Sequence, residues 1–388
     1  MGGRQVGESI EQISSLLRRA QCISPVGVGG AIGDVLRGRR LTEAQGVSLF
    51  EEADLGVLSL MATLVRLRLN GLKAYYNRNA HIEPTNGCLY SCKFCSFRRA
   101  PGQPGYWCLS KQEIYVRARA CAEAGNSELH ITGGVVPGWH FSDYLEVVGR
   151  IHAEFPELHI KAYSAVELCS VFDREGISYE DGLGQLRLAG LGSLPGGGAE
   201  ILDDALRAEI CPEKCDSESW LRLHAVWHRL GGVSNATMLF GHLESYRQRV
   251  EHLETLRTLQ DSTHGFNSFI PLKYCSEGNQ LSALGEVSLP EVMRTYAVSR
   301  VYLDNFPHLK GYWPMLGKGN LSLVLDYGVD DLDGTIGRST KIYSMAGAAD
   351  QAPEASMEEL ELLVREAGYV PVERDSYYGE RSLSMDRR

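Results

Sequence analysis

The chain has no apolar run long enough to cross a bilayer. Its longest, Leu55 to Val65, stops at Arg66 after about a dozen residues, against the roughly 20 that a spanning helix needs, and reads as a core helix. The amino terminus lacks the charged-then-apolar pattern and small-residue cleavage site of a secretory leader. Its first helix-like stretch carries Glu8 and Glu11, which a transit peptide avoids, so a cytoplasmic location is expected. Long Lys/Arg blocks are also missing. With 39 basic against 49 acidic residues the formal net charge is −10, and neither nucleic acid nor an anionic membrane is an expected partner. No internal repeat or low-complexity linker divides the chain. What is present is 388 residues, 44% hydrophobic and 23% charged, enough for a large core. Glycine is abundant, at 42 residues, so many turns or close backbone approaches are expected. Without an export signal, the ten cysteines read as thiols, some of them metal ligands, rather than as disulfides.

From about residue 78 onward, short β-branched or apolar runs alternate with amphipathic stretches, the rhythm of βα units on a parallel sheet. The strand candidates are Ala80–Pro84, Glu128–Gly134, His159–Glu167, Gly192–Gly196, Ser234–Gly241, Phe266–Lys273, Leu309–Pro314 and Asp331–Thr335. Helix starts are marked by capping-box spacing at Thr42/Gln45, Ser110/Glu113, Ser178/Asp181, Ser288/Glu291 and Ser356/Glu359, and helix ends by Gly125, Gly190 and Gly231. Tyr144, Val147, Val148, Ile151 and Phe155 form an inward stripe, as do Val250, Leu253, Leu256 and Leu259. The expected fold is α/β, a closed (β/α)8 TIM-type barrel over residues 78–340, with an N-terminal helical extension (1–77) and a C-terminal helical extension and tail (341–388). Strand counting alone leaves an open doubly wound sheet as the alternative. Residues 376–388 are polar and expected to fray.

Chemistry concentrates in Asn86-Gly-Cys-Leu-Tyr-Ser-Cys-Lys-Phe-Cys-Ser-Phe97, where Cys88, Cys92 and Cys95 form C-x3-C-x2-C just after the first barrel strand. Three thiolates on a four-iron cube leave one iron without a protein ligand. That iron can be chelated by the amino and carboxylate groups of S-adenosylmethionine, whose sulfonium one electron then splits to a 5′-deoxyadenosyl radical. The competing readings are a structural zinc site, which wants four ligands in two pairs and finds only Cys108 nearby, and a disulfide, which leaves an odd cysteine. Cys211 and Cys215 form one further pair without partners, and Cys22, Cys121, Cys169 and Cys275 read as buried small hydrophobes.

With Phe94 in its aromatic place, the triplet resembles the radical S-adenosylmethionine superfamily, and residues 42–375 resemble its aminodeoxyfutalosine (aminofutalosine) synthase family of menaquinone biosynthesis by the futalosine route. The matching segments are His81-Ile-Glu-Pro-Thr-Asn86, His130-Ile-Thr-Gly-Gly134, His159-Ile-Lys-Ala-Tyr-Ser-Ala-Val-Glu167, Ser193-Leu-Pro-Gly-Gly-Gly-Ala-Glu-Ile201, Ser234-Asn-Ala-Thr-Met-Leu-Phe-Gly-His242, Asp330-Asp-Leu-Asp-Gly-Thr-Ile336 and Thr340-Lys-Ile-Tyr-Ser-Met-Ala-Gly347. The pathway's later cyclase, dehypoxanthine futalosine cyclase, and the deazaflavin (F0) synthases share triplet and barrel and are the alternative. Residues 1–41, Cys108, Cys211 and Cys215 lie outside the family pattern.

The resemblance implies a transferase that adds the adenosyl radical to the enol-ether double bond of 3-(1-carboxyvinyloxy)benzoate. Rearrangement and loss of bicarbonate would then give 6-amino-6-deoxyfutalosine and methionine, with S-adenosylmethionine consumed. An external one-electron donor such as flavodoxin or ferredoxin would re-reduce the cluster. Cys88, Cys92 and Cys95 would hold the 4Fe-4S cluster and carry catalysis, and Phe94 would pack over it. Phe94, Gly133, Gly134, Ser164, Glu167 and Gly197 would bind S-adenosylmethionine, although Gly133-Gly134 reads equally as a strand-ending turn and Glu167 as a helix cap. No phosphate-loop pattern accompanies Gly196, Gly197 and Gly198, which read as space for the nucleoside. A substrate with two carboxylates needs cationic or N–H donors, and the strand-end candidates are Asn235, His242, Lys273, Lys310, Tyr312 and Lys341. Asp331 and Asp333 read as their partners or as turn residues before Gly334.

Overall fold

In the computed structural model, residues 2–336, 340–342, 344–347 and 353–381 are described. Four helices come first: α1 (Gly2–Gln21), α2 (Val26–Leu36), α3 (Glu43–Glu52) and α4 (Leu55–Asn70). The apolar run of Leu55–Val65 is α4, which buries Leu58, Met61, Ala62 and Leu64. Arg66 on the same helix is fully buried, and its guanidinium donates to the carbonyls of Val329, Gly71 and Lys73, which binds the helical extension to the barrel through obligatory backbone acceptors.

The chain then runs β1 (Lys73–Asn77), β2 (Asn79–Ile82), α5 (Lys111–Glu123), β3 (Glu128–Ile131), α6 (Phe141–Glu154), β4 (His159–Ala162), α7 (Ala165–Glu175), α8 (Tyr179–Ala189) and β5 (Leu191–Leu194). It continues through α9 (Asp204–Ile210), α10 (Ser217–Arg229), β6 (Val233–Phe240), α11 (Tyr246–Thr263), β7 (Phe266–Lys273), α12 (Leu289–Tyr302) and β8 (His308–Leu309). Short α13 (Trp313–Leu316) and α14 (Leu321–Leu325) precede β9 (Asp331–Gly334), α15 (Met357–Glu366) and β10 (Val370–Glu373). Strands β2 to β8 form a parallel sheet in sequence order, and a bridge between Lys310 and Asp331 carries it on to β9, which pairs with β1. Only Arg78 separates β1 from β2, and Thr335 after β9 hydrogen-bonds to Asn77 and Asn79, so these two short strands act as one and the eight strand positions close on themselves.

Each expected strand is present, but several end early. The third stops at Ala162 because Ser164 caps α7 and Glu167 closes the capping box, turning Ala165–Glu167 into helix. The seventh is only His308–Leu309, since Trp313 and Pro314 begin a helical turn. The expected helix starts at Thr42, Ser110, Ser178, Ser288 and Ser356 all serve as N-caps.

The carboxyl end departs most from expectation. After α15 the chain forms β10, parallel to β1, and residues 376–381 do not fray. Arg374 Nε lies 2.6 Å from Asp331, Ser376 Oγ donates to Glu128 at 2.8 Å, and the Tyr378 ring stacks on His308 at 3.6 Å. Polar side chains are held here by buried charges under the barrel that a local reading cannot see. Residues 382–388 of the expected tail, and Tyr343, lie outside the described residues.

Candidate active site

The cysteine loop leaves β2 through Glu83-Pro84-Thr85-Asn86, and each polar residue there ties down a different segment. Thr85 Oγ1 donates to the carbonyl of Trp107 and accepts from Gly87 N–H; Asn86 donates to the carbonyl of Gly105 and accepts from Trp107 N–H. The loop then lies against the end of β3. A Cβ on Gly134 would sit 2.3 Å from the Gly87 carbonyl oxygen and 2.8 Å from Cys88 Cβ, so only glycine lets the loop pass. Sequence reasoning gave Gly133-Gly134 to the ligand or to a turn; their packing is against the cysteine loop.

Cys88, Cys92 and Cys95 line one cavity of about 160 Å³ together with Phe94, Gly133, Gly134, Ser164, Glu167, Gly197, Arg98 and Lys214. Cys88 Sγ accepts hydrogen bonds from the N–H groups of Tyr90 (3.4 Å) and Val135 (3.2 Å). Burial raises the Cys88 thiol and pushes Cys92 up to about 12, with nearby Lys214 opposing. Thiols this protonated ionise when a cationic centre takes them as ligands. The three cysteines share the lining of one cavity, and among the described residues no group of three His, Cys, Asp or Glu side chains is placed to hold a single metal ion. This donor set suits a multi-iron cluster with one iron left open better than a mononuclear zinc site. All ten cysteines are free thiols; Cys121 and Cys169 are buried as expected and Cys275 is half-buried, whereas Cys22, expected to be buried, is exposed at the end of the first helix, as is Cys108.

Phe94, Cys95, Thr132, Gly133, Gly197, Gly198 and Lys214 also line a second cavity of about 320 Å³, the barrel interior, so the two spaces adjoin. Lys214, which sequence reasoning missed, pairs with Glu200 at 2.5 Å and lies over the Phe94 ring at 5.2 Å. Two residues lining this space hold left-handed backbone without being glycine, Glu200 (φ 46°) and Asp333 (φ 65°), as does Tyr163 (φ 61°), which precedes Ser164 of the smaller cavity. Strain of that kind gathers at the carboxyl ends of barrel strands, where sites are built.

Of the expected substrate contacts, Asn235, Lys273, Lys310 and Tyr312 line the larger cavity. The structure brings neither His242 nor Lys341 to the lining of either cavity. The buried His242 ring lies 3.2 Å from Glu244, and Lys341 offers its backbone N–H to Glu83 while its ammonium sits over Trp107. The lysines are already engaged: Lys310 with Asp333 at 2.7 Å and Lys273 with Glu286 at 2.8 Å. Glu167, expected as a ligand or a cap, takes the N–H and hydroxyl of Ser164 and the hydroxyl of Thr132, and burial lifts it to about 7. Glu83 is likewise lifted by burial to about 7, and it accepts from Thr340, Lys341 and Ile342, holding that segment over the barrel mouth.

Three inward residues were not singled out from sequence: His81, His130 and Lys161, which line the larger cavity and face one another in register across β2, β3 and β4. Their signal was available in the two-residue period of each strand, but the period does not say which face is the barrel interior.

The comparisons with known proteins agree with this geometry. Residues 82–256 match the radical SAM superfamily, and residues 263–386 match the CofH/MqnC C-terminal region. The barrel and its thiol-ringed cavity are therefore those of a radical S-adenosylmethionine enzyme. Within that class the chain belongs to the aminodeoxyfutalosine synthase family. It is 39% identical over 351 residues to aminodeoxyfutalosine synthase of Thermus thermophilus, covering 89% of this chain and 94% of the relative. The same enzyme of Streptomyces coelicolor is 38% identical, with coverages of 89% and 91%. Cyclic dehypoxanthine futalosine synthase of Streptomyces coelicolor is 35% identical, with coverages of 88% and 86%. Among solved structures, methylornithine synthase shares the fold at a TM-score of 0.70 and 16% identity, covering 87% of this chain and 96% of that one. Among the described residues no helix is long and apolar enough to cross a membrane.

Proposed function

We propose that this chain is an aminodeoxyfutalosine synthase, joining S-adenosylmethionine to 3-(1-carboxyvinyloxy)benzoate with loss of bicarbonate to give 6-amino-6-deoxyfutalosine and methionine. The observation that carries this reading is the junction of the two cavities, which lets two small molecules lie side by side with Phe94, Gly133 and Gly197 between them. Cys88, Cys92 and Cys95 would hold a 4Fe-4S cluster, which when bound would supply the electron for cleavage of the S-adenosylmethionine sulfonium. Around it, Phe94, Gly133, Gly134, Ser164, Glu167 and Gly197 shape the smaller cavity for the adenosyl and methionyl parts. Asn235, Lys273, Lys310 and Tyr312 face the aryl substrate in the larger one. Ile342, whose N–H Glu83 accepts, and Ala346 line its roof and exclude water from a radical that solvent would quench.

The electron comes from outside. Cys92 and Cys95 also line an outer cleft with Lys93, Arg98 and Arg99 and, among the described residues, no carboxylate side chain, a basic patch on a chain of net charge −10. It suits an acidic one-electron donor of the flavodoxin or ferredoxin type, and a cytoplasmic location suits ten free thiols. The test is mass spectrometry after anaerobic incubation of reduced protein with both substrates. The expected product combines the adenosyl and aryl units; free 5′-deoxyadenosine as the main product would instead mark hydrogen abstraction, as in the cyclase or deazaflavin reading.

A further inference from the structure

Inside the larger cavity, two polar groups stand without partners among the described residues. His81 is 5% exposed, and the Nε2 atoms of His81 and His130 are both buried with no hydrogen-bond partner among them. Leaving such a group unsatisfied costs roughly 1–3 kcal/mol, and two together at one place call for a partner that arrives from elsewhere. The rings meet edge to face at 4.7 Å, and Tyr312 stacks beyond His81 at 6.4 Å. Burial lowers His81 to about 4 and His130 well below its ordinary value, with Lys161 adding to both effects. Both imidazoles are therefore neutral at neutral pH, and each carries one N–H, which a carboxylate arriving at the open Nε2 would hold on that nitrogen.

Their neighbours complete an anion site. Lys161 follows His130 in register, and Lys310 sits across the cavity. Each ammonium makes one hydrogen bond among the described residues, Lys161 to Glu128 at 2.5 Å and Lys310 to Asp333 at 2.7 Å, so each keeps N–H donors for a ligand. None of the four lines the smaller cavity that holds the cysteines.

We propose that His81 and His130, flanked by Lys161 and Lys310, form a carboxylate subsite at the end of the barrel cavity away from the cysteines, and that it takes the ring carboxylate of the aryl substrate. The assignment of the ring carboxylate rests on the reaction proposed above: the reacting double bond must face the smaller cavity, which turns the opposite end of the molecule toward the histidines. A neutral N–H pair suits this task. It gives a carboxylate two donors in a space whose charges are already balanced.

The test uses cluster-loaded, unreduced enzyme with S-adenosylmethionine bound, so that binding is read without turnover. Dissociation constants are measured for 3-(1-carboxyvinyloxy)benzoate and for its analogue lacking the ring carboxylate. Wild type is expected to prefer the dicarboxylate by roughly 10- to 100-fold, the size of a lost charge-assisted hydrogen-bond pair. His81→Phe and His130→Phe should narrow that preference to under about 3-fold while keeping affinity for the analogue, and His81→Asn, which retains a donor, should recover part of it. In wild type the imidazole ¹⁵N resonances of both histidines should shift with the dicarboxylate and not with the analogue, a readout that needs no variant to fold. The subsite is overturned if wild type shows no preference, if the phenylalanine variants keep the wild-type preference or lose both compounds equally, or if the resonances do not move. A wrong reaction would appear separately, as absence of the adduct mass once reductant is added.

Discussion

Two sets of buried carboxylates in the barrel are held in opposite ways, one at its amino-terminal end and the other, Glu83 with Glu167, at its mouth, where Glu200 and Asp333 pair with lysines. At the amino-terminal end the buried carboxylates meet cations: Glu128 pairs with Lys161, Asp330 with Arg300 and Asp331 with Arg374. Glu128 and Asp330 are held below their ordinary values despite burial, by Lys161 first for one and Arg300 first for the other. At the mouth, Glu83 and Glu167 are buried with hydroxyl and N–H donors but, among the described residues, no ion pair, and burial lifts both to about 7. Charge-paired carboxylates knit distant segments together; unpaired ones stay poised beside a cavity. The first arrangement serves stability and the second leaves electrostatic room for ligands.

The comparison can be broken most sharply at the mouth. Replacing Cys88, Cys92 or Cys95 by Ala should reduce S-adenosylmethionine cleavage by at least about 10³-fold, with little change in unfolding midpoint, since these thiols hold a cofactor and not the core. Cleavage assays and urea titrations of the same variants read both sides. Arg374→Met should do the reverse, costing about 3–5 kcal/mol of stability by stranding Asp331, measured by urea unfolding.

The opposite titrations give a third test. Glu83 has a folded value raised from the ordinary 4.5 to about 7, so its proton is held more tightly in the folded chain. Relative to Glu83→Gln, the wild type should lose stability as pH rises from about 4.5 through about 7, by of order 3 kcal/mol in all. Glu128 has a folded value well below 4.5, so its contribution is present above pH 4.5 and lost as pH falls, and Glu128→Gln should show the contrary slope. Equal slopes in the two variants would erase the distinction between the ends.

Gly134→Ala should displace the cysteine loop at a cost of about 2 kcal/mol and lower the iron content of reconstituted protein, while the distant floor pairings stay intact. The smallest effect is expected at the outer cleft. Arg99→Glu should slow turnover supported by a flavodoxin or ferredoxin about 10-fold at low salt and leave dithionite-supported turnover unchanged.

Much of the fold was legible because its signals are local. A two-residue period marks strands and a Ser/Thr three residues before Glu, Gln or Asp marks helix starts, which is why Thr42, Ser110 and Ser356 were readable. The same rule, applied strictly at Ser164, would have ended the third strand where it ends. The cysteine triplet was legible too, since its spacing spans eight residues of one loop. Less legible were the pairings: Asp333 read as a partner or a turn residue with no particular lysine assigned to it, Lys273 looked like a free cation and the polar tail looked unanchored, because Lys310, Glu286 and Glu128 are brought to them only by the fold.

The sequence by itself determined the barrel's order of elements, the thiol triplet and the glycines beside it, because each depends on neighbours a few residues away. Tertiary structure alone decided which buried charges are paired, which histidines keep a buried nitrogen without a partner among the described residues, and which lysines keep donors to spare. Ser376 meets Glu128 across 248 residues and Thr340 meets Glu83 across 257. Satisfaction of a buried polar group is a property of the space around it, and that space exists only once the eight strands have closed.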